Sequence, residues 1–553
     1  MSKNLSELSG RKGLTDNLFE KLGTMAKGTG TPDVQEMENL AEEFLMGKAN
    51  VYGSATFYDF TRPDNAGKKV YVCNGSACLT AGTQPAVEQT LKQHFENSEI
   101  GEMCCLGRCH ENSSFHYNGH SYSGDAIKDI AAIKKTSSPK MDKYNVQHIG
   151  TPVLTEPFPG MDIFYKLLET ALQQTPEKLL EEIRISNIRG RGGAGFPMAF
   201  KMESCKKTPS KTRFVVCNAD EGDPGAYSDR YLLEERPHSV LLGMIISGYI
   251  IGASWGVVYI RAEYPEAVKI VEREVEKLYA AGLCGENILG TKFNFDFKVI
   301  KAQGAYICGE ETALLSSIEG QRPEVRVRPP YPAQQGLFNK PTIVNNVETL
   351  ASVPYIIREG GAAFANIGTE KSKGTKLVCL DGYFNAPGMY EVDMGTPLRK
   401  VIDDLGKGFN HNIKALHIGG PLGGLVPVSK IDDLNVDFES FNQNGFLLGH
   451  ASVVSIPEEF PLVKYLEHLF EFTAHESCGK CFPCRLGSVR GAELLLKAQE
   501  EEYKIERTLF NDLVETLEKG SLCALGGGLP LPVKNALQYF ESELSPYFKN
   551  DIA

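Results

Sequence analysis

Asn187-Ile188-Arg189-Gly190-Arg191-Gly192-Gly193-Ala194-Gly195-Phe196-Pro197 is the stretch around which the rest of the chain arranges itself. Four glycines fall within the six residues 190–195. Bare backbone of this kind lets amide N–H groups crowd around a phosphate, because glycine adds no Cβ clash and reaches unusual φ/ψ. Arg189 and Arg191 interleave positive charge, and Lys201 follows on the first turns of an expected helix whose N-terminus also favours an anion. A tight turn of small residues under a helix would share the glycines but not the interleaved cations. Gly190, Arg191, Gly192, Gly193 and Lys201 are therefore the first candidates for contact with a phosphate-bearing cofactor.

The flanks of the loop read as an α/β unit. Phe164–Ile185 looks helical and leads into it, and Phe214-Val-Val-Cys217 is a short apolar strand. That strand ends in Asn218-Ala-Asp220-Glu221-Gly222-Asp223, carboxylates that suit ribose or ribityl hydroxyls or a flavin ring. A metal site or a solvated acidic loop is the alternative. Val257–Arg261 reads as a second strand and Pro265–Ala281 as a helix, so strand and helix alternate, as in a parallel sheet with its site at the strand ends. Ala305–Leu314 is a further strand-to-helix turn, with Glu310 and Glu311 where the helix dipole favours acids. Arg322–Pro341 is basic and proline-rich, an extended loop whose Arg326, Arg328 and Tyr331 suit phosphate and an aromatic base, and Asn345-Asn346 precedes a helix.

Fourteen cysteines are many for a cytosolic chain, and their clustering favours metal over disulfides. Cys73-x4-Cys78 and Cys105-x3-Cys109 each close a short glycine-containing loop, and four thiolates so placed suit iron–sulfur or zinc. Cys104 adjoins Cys105, and the following Leu106-Gly107 favours Cys105 as the ligand. Cys478-x2-Cys481-x2-Cys484 with a distant Cys523 is the pattern of a [4Fe–4S] site, with Lys480 and Arg485 available to offset its negative charge. Cys205, Cys217, Cys284, Cys308 and Cys379 are scattered and read as packing residues.

At 553 residues the chain needs more than one core. A net charge of −12 argues against nucleic-acid binding. The longest apolar candidate, Val240–Trp255, is interrupted by glycines and reads as a buried helix, and Met1–Gly13 is polar without a signal core, so a soluble, cytoplasmic chain is expected. Leu14–Gly47 is helical in pattern, Thr136–Gly160 reads as a linker, and Lys373–Pro457 as short strands with one helix near Leu398–Leu405.

Residues 14–131 resemble the thioredoxin-like [2Fe–2S] subunit of respiratory complex I, on the Val-Tyr-Gly-x-Ala-Thr-Phe-Tyr run and both cysteine pairs. Residues 158–540 resemble the NADH-binding flavoprotein of complex I and its relatives in hydrogenases and formate dehydrogenases. That likeness rests on the glycine loop, Cys-Asn-Ala-Asp-Glu, Ala-Tyr-Ile-Cys-Gly-Glu-Glu-Thr-Ala-Leu, Asn-Asn-Val-Glu-Thr and Glu-Ser-Cys-Gly-Lys-Cys-x-Pro-Cys-Arg. The resemblance implies a [2Fe–2S] cluster on Cys73, Cys78, Cys105 and Cys109, and a [4Fe–4S] cluster on Cys478, Cys481, Cys484 and Cys523. It implies FMN on Gly190, Gly192, Lys201, Asn218, Asp220, Glu221, Tyr306, Gly309, Glu310, Asn345 and Asn346. NAD(H) would then meet Phe196, Asp223, Glu311, Arg328 and Tyr331, with Asp223 and Glu311 orienting the nicotinamide end. Asp223, Met202 and Ser204 depart from the complex I pattern.

The expected architecture is α/β and multidomain: a thioredoxin-like ferredoxin domain with N-terminal helices (1–135), a linker (136–160), a Rossmann-like FMN/NAD(H) domain (161–372), a small β-grasp-like domain (373–457) and a helical [4Fe–4S] domain (458–553). The fusion of the first and second domains, with the Gly419–Gly424 and Leu447–His450 runs, resembles β subunits of NAD-dependent molybdenum or tungsten formate dehydrogenases. The expected partner is accordingly a formate dehydrogenase catalytic subunit, with a small ferredoxin-like subunit as a further candidate, in a hetero-oligomer. A hydrogenase diaphorase is the second reading and an electron conduit without nucleotide turnover the third.

Overall fold

The computed structural model describes residues 6–7, 10–26, 30–136, 139, 142–500 and 502–549. The start of the polar N-terminal stretch, part of the expected helix Leu14–Gly47 (27–29) and part of the expected linker (137–138 and 140–141) lie outside them.

The N-terminal helical stretch divides into Leu18–Met25 and Val34–Phe44, the second capped by Asp33, whose side chain accepts from the Gln35 N–H. A four-stranded sheet follows: β1 (Val70–Cys73), β2 (Ile100–Met103), β3 (Phe115–Tyr117) and β4 (His120–Tyr122), in the order β2-β1-β3-β4. β1 is buried along its whole length and ends at Cys73, and parallel β2 runs out beside it at Met103. Both cysteine pairs therefore start from the same edge of this sheet.

The stretch read as a linker contains β5 (Val146–Ile149), which pairs in parallel with a strand far along the chain, Met389↔Val146 to Val392↔Ile149. Just beyond it, the buried Glu391 carboxylate accepts from the N–H groups of Val153, Leu154 and Thr155 at 2.9 Å. A four-residue strand has little apolar signal of its own, and it forms here because an edge strand offers its amides partners, while the buried carboxylate holds the amides that follow.

β6 (Phe214–Ala219), β7 (Trp255–Ile260), β8 (Asp296–Lys301) and β9 (Thr342–Asn346) form an all-parallel sheet in the order β8-β7-β6-β9. The apolar run Val240–Trp255 splits between two elements: helix Pro237–Ile251 stops at Gly252 in the left-handed region (φ 72°), and Trp255 opens β7. Among the described residues no helix is long and apolar enough to cross a membrane. The chain steps from β6 outward to β7 and β8, then returns to the opposite side of β6 with β9. The carboxyl ends of β6 and β9 are thus a topological switch point, where open α/β sheets leave a crevice.

β10 (Thr375–Leu380), β11 (Gly388–Asp393), β12 (Ile413–Ile418), β13 (Gly424–Pro427) and β14 (Ser452–Pro457) build a mixed sheet, β13-β12-β14-β10-β11-β5. Helical turns cover Leu398–Leu405 as expected, and a second helix, Phe438–Gln443, accompanies them. Helices Leu462–Glu476, Phe482–Glu500, Arg507–Gly520 and Pro530–Tyr539 close the chain around their own apolar core.

Candidate functional site

The glycine loop leaves helix Pro176–Ser186 through Asn187, which adopts the left-handed conformation (φ 49°). The Gly190 N–H donates to the Phe196 carbonyl at 2.8 Å and the Met198 N–H to Ile188 at 3.1 Å, so the loop closes on itself before helix Met198–Lys207 begins. Gly193 (φ 112°) and Gly195 (φ 59°) hold conformations that side chains resist. A Cβ on Gly192 would stand 3.0 Å from that of Asn346, at the end of β9. The loop is thereby pressed against the switch point with its backbone bare.

The two arginines do not face outward as their spacing suggested. Arg189 donates from Nε to the Gly195 carbonyl at 2.7 Å and from Nη1 to Glu439 at 2.6 Å, and lies 4.4 Å over the Phe438 ring. Arg191 is 1% exposed, donates to the Lys373 carbonyl, and leaves Nε and Nη1 without hydrogen bonds. Burial pulls its guanidinium down to about 10. Arg189 thus braces the loop through Glu439 and Phe438, whereas Arg191 is tied to the Lys373 carbonyl by one nitrogen and keeps two buried nitrogens uncommitted. Lys201 donates to the Val344 carbonyl at 2.6 Å, and burial lowers its pKa.

The strand ends supply groups in need of a partner. Asn218 donates to the Gly309 carbonyl at 2.8 Å and neighbours Asn346 in register across β6 and β9. Asp220 is 8% exposed, and its Oδ2 makes no hydrogen bond; burial raises its pKa strongly. Asn345 is 3% exposed and neither its amide oxygen nor its nitrogen is bonded. Orphaned buried polar atoms are costly and rare, and a polar ligand that bonds them removes the cost. Together with the bare cradle at Gly192, Gly193 and Gly309, they fit a flavin mononucleotide.

Other predicted contacts have their side chains committed within the protein. Glu221 accepts from Ser228 Oγ (3.1 Å), Asp229 N (2.9 Å), Arg230 N (3.2 Å) and Tyr264 OH (3.0 Å). Its carboxylate therefore starts helix Ser228–Glu235 instead of facing the crevice, a correction to its place among the flavin contacts. Glu310 caps helix Glu311–Ile318 through the Thr312 and Ala313 N–H groups, both at 2.9 Å. Asn346 caps helix Val347–Glu359 and donates to Asp229 at 2.7 Å. Tyr306 donates its hydroxyl to Asp223 at 2.7 Å, and its N–H to Glu476 at 2.8 Å. At the mouth, Arg328 Nη1 holds Glu311 Oε1 at 3.0 Å, with Phe196 46% and Tyr331 55% exposed. Phe200, on the first turn of helix Met198–Lys207, meets Phe196 edge to face at 5.6 Å, a second exposed ring that the four-residue spacing of the two phenylalanines signals.

Cys73, Cys78, Cys105 and Cys109 share one buried cluster, with Cys105 and Cys109 sulfurs 3.5 Å apart. The Gly107 N–H points at Cys105 Sγ (3.4 Å) and the Gly225 N–H, from the flavin unit, at Cys109 Sγ (3.1 Å). N–H groups aimed at sulfur suit thiolates bearing charge, as in iron–sulfur ligation. Cys478, Cys484 and, less buried, Cys481 and Cys523 gather at another apolar cluster, with Cys484 Sγ 3.4 Å from Ser477 Oγ. Burial pushes the Cys484 thiol up to about 11 and Cys523 up to about 12, so a metal must displace their protons. Lys480 donates to the Val325 carbonyl at 2.6 Å, and Arg485 to Gly479 at 3.1 Å. None of the fourteen cysteines is in a disulfide.

A switch-point crevice with a bare phosphate cradle, one buried thiol quartet and a second that is half-buried defines a flavin and iron–sulfur electron-transfer protein. Comparison with known proteins agrees. Residues 183–355 match the Nuo51 FMN-binding domain, 464–547 the NADH-ubiquinone oxidoreductase-F iron-sulfur binding region, and 15–136 the thioredoxin-like [2Fe-2S] ferredoxin. The chain is 42% identical over 384 residues to the NADP-reducing hydrogenase subunit HndC of Solidesulfovibrio fructosivorans, covering 68% of this chain and 78% of that one. It is 38% identical over 379 residues to the mitochondrial NADH dehydrogenase [ubiquinone] flavoprotein 1 of Dictyostelium discoideum, covering 67% and 79%. A chain of an NAD+-reducing [NiFe]-hydrogenase in the H2-reduced state superposes with a TM-score of 0.85 at 28% identity, over 97% of this chain and 93% of that chain. The chain belongs to the complex I 51 kDa flavoprotein family, as a diaphorase-type protein that transfers electrons among NAD(H), FMN and iron–sulfur clusters.

Two separate thiol quartets predict about six irons per chain, two in one and four in the other. Iron analysis with electron paramagnetic resonance checks this, and zinc alone in either quartet would overturn that assignment.

Proposed function

We propose that this chain is the NAD(H)-linked subunit of a formate-oxidising complex, receiving electrons at its [4Fe–4S] site and delivering them as NADH. The observation that carries the redox reading is the set of orphaned atoms on Asp220 and Asn345 beneath a bare glycine loop. When bound there, FMN interconverts two-electron hydride exchange with single-electron transfer.

The chain's own residues bind, orient and shield. Backbone amides of Gly190, Gly192 and Gly193 receive the phosphate, with Lys201 supplying charge close by. Asn218, Asp220, Tyr306, Gly309 and Asn345 line the flavin, while Glu310 and Asn346 fix the helix starts beside it. Phe196 and Tyr331 offer aromatic faces to adenine. Glu311, steadied by Arg328, and Asp223, steadied by Tyr306, orient the nicotinamide ribose and carboxamide. No side chain need act as a general base. The thiols of Cys73, Cys78, Cys105 and Cys109 hold a [2Fe–2S] centre off the main route, as a store or branch, and those of Cys478, Cys481, Cys484 and Cys523 hold the [4Fe–4S] centre.

The formate assignment rests on the resemblance of the Gly419–Gly424 and Leu447–His450 runs to formate dehydrogenase β subunits; these runs meet beside the crevice, with Gly449 against Gly419 and Gly420 against the Asp223 carboxylate. A hydrogenase diaphorase is the second reading, favoured by the 97% coverage of this chain in the match to the NAD+-reducing hydrogenase chain. Co-purification with metal analysis decides between them. Molybdenum or tungsten in the complex is the expected result; nickel or a di-iron centre would replace formate with hydrogen.

Glu311→Gln keeps the shape of the side chain and removes its charge. FMN content should stay normal while KM for NAD+ or NADH rises and flavin reduction slows. Loss of one charge-assisted hydrogen bond is worth about 1.5–3 kcal/mol, hence roughly ten- to a hundredfold. Loss of FMN with unchanged nucleotide kinetics would move Glu311 to the flavin site.

A further inference from the structure

Behind the glycine loop lies a charged cluster that the crevice chemistry above does not use. His450, in the turn before β14, is 5% exposed. Its Nδ1 stands 3.7 Å from Glu221 Oε1 and its Nε2 3.6 Å from Asp229 Oδ2, and neither nitrogen makes a hydrogen bond. Both carboxylates are buried, so the imidazole is flanked by acid on either side. The other charged groups facing it are Asp223 and Lys376, and Lys376 is itself paired with Glu348. Arg261 donates to the Glu221 carbonyl from the far side. Burial opposes a charge on the ring, but Asp229 and Glu221 outweigh it and push His450 up to about 9.

The three ligand atoms lie close enough together for a divalent cation. Their hydrogen bonding argues for a proton instead. Both Glu221 oxygens are already bonded, and Asp229 Oδ2 accepts from Asn346, which leaves only Asp229 Oδ1 uncommitted among the four carboxylate oxygens. Replacing those donors with a cation would orphan the start of helix Ser228–Glu235.

Two contacts join this cluster to the flavin cradle. The Gly449 backbone lies 3.8 Å from the Cβ position of Gly193. Asp229 accepts from Asn346, whose Cβ is 3.0 Å from the Cβ position of Gly192. A charge change at His450 is therefore felt where the cofactor sits.

We propose that His450 tunes the flavin: as an imidazolium clamped between Asp229 and Glu221 beneath the glycine loop, it raises the flavin's affinity for electrons. A fixed positive charge beside a group that gains negative charge on reduction favours the reduced form, and in a buried site the effect is little screened. With the imidazolium gone, the buried Asp229 and Glu221 carboxyls lose the cation that lies between them.

The test is the flavin midpoint potential of the holoprotein, measured by anaerobic redox titration across pH. His450→Gln should bind FMN in full and show a lower flavin potential at neutral pH. The wild-type potential should bend where His450 loses its proton, near pH 9, and the bend should vanish in His450→Gln. In Asp229→Asn, which keeps the side-chain shape but removes one of the two acids, the bend should move to lower pH. The wild-type profile and Asp229→Asn decide the matter if His450→Gln does not fold. An unchanged potential in FMN-replete His450→Gln, the absence of a bend in the wild type, or loss of FMN from His450→Gln with both clusters intact would overturn the proposal. So would one equivalent of a non-iron metal that His450→Gln loses.

Discussion

Close approach of bare backbone at the ends of β6 and β9 is the constraint on which the rest of the structure depends. Gly192 stands against Asn346, Gly420 against the Asp223 carboxylate, and a Cβ on Gly309 would lie 3.3 Å from the Asp220 carbonyl. Five parts of the chain, far apart in sequence, meet with no room for side chains on these glycines. The space they leave is lined by amides and by the unbonded groups of Asp220 and Asn345. Tight packing of this kind resists adjustment, so cofactor specificity follows from shape as much as from charge.

The same crevice is tied to both thiol quartets. The Gly225 N–H, two residues after Asp223, reaches Cys109 Sγ, and Arg230 donates to the Gly107 carbonyl at 2.7 Å within the same cysteine loop. Arg230 and Arg108 share the Asp142 carboxylate, so the loop between Cys105 and Cys109 is held by ion pairs buried in the flavin unit. On the other side, Tyr306 donates its N–H to Glu476, and Arg322 approaches the Cys478 carbonyl at 3.4 Å. Ordered donors around each sulfur site limit the reorganisation that accompanies a change of charge there.

Local chemistry made much of this legible. Glycine spacing, the Cys-x2-Cys-x2-Cys run and the alternation of strands and helices each act over a few residues, and the structure carries the α/β and helical units they implied, while the thioredoxin-like unit was legible only through the resemblance to a known family. What sequence could not give was the direction of side chains whose partners lie far along the chain. Arg189 looks like a phosphate ligand until Glu439 and Phe438 are folded against it. Glu221 looks like its neighbours Asp220 and Asp223, yet one turn of backbone gives it to a helix start. The strand Val146–Ile149 has no apolar pattern to announce it, and His450 has no nearby residue to mark it as charged.

One crevice exchanges hydride equivalents with NAD(H) and single electrons with the iron–sulfur centres held in the same chain. Anaerobic titration of the holoprotein with NADH, followed by optical and electron paramagnetic resonance spectra, tests it most directly. The account predicts that NADH bleaches the flavin band and that reduced [2Fe–2S] and [4Fe–4S] signals appear with it. A flavin that stays oxidised, or clusters that stay silent once the flavin is reduced, would contradict it.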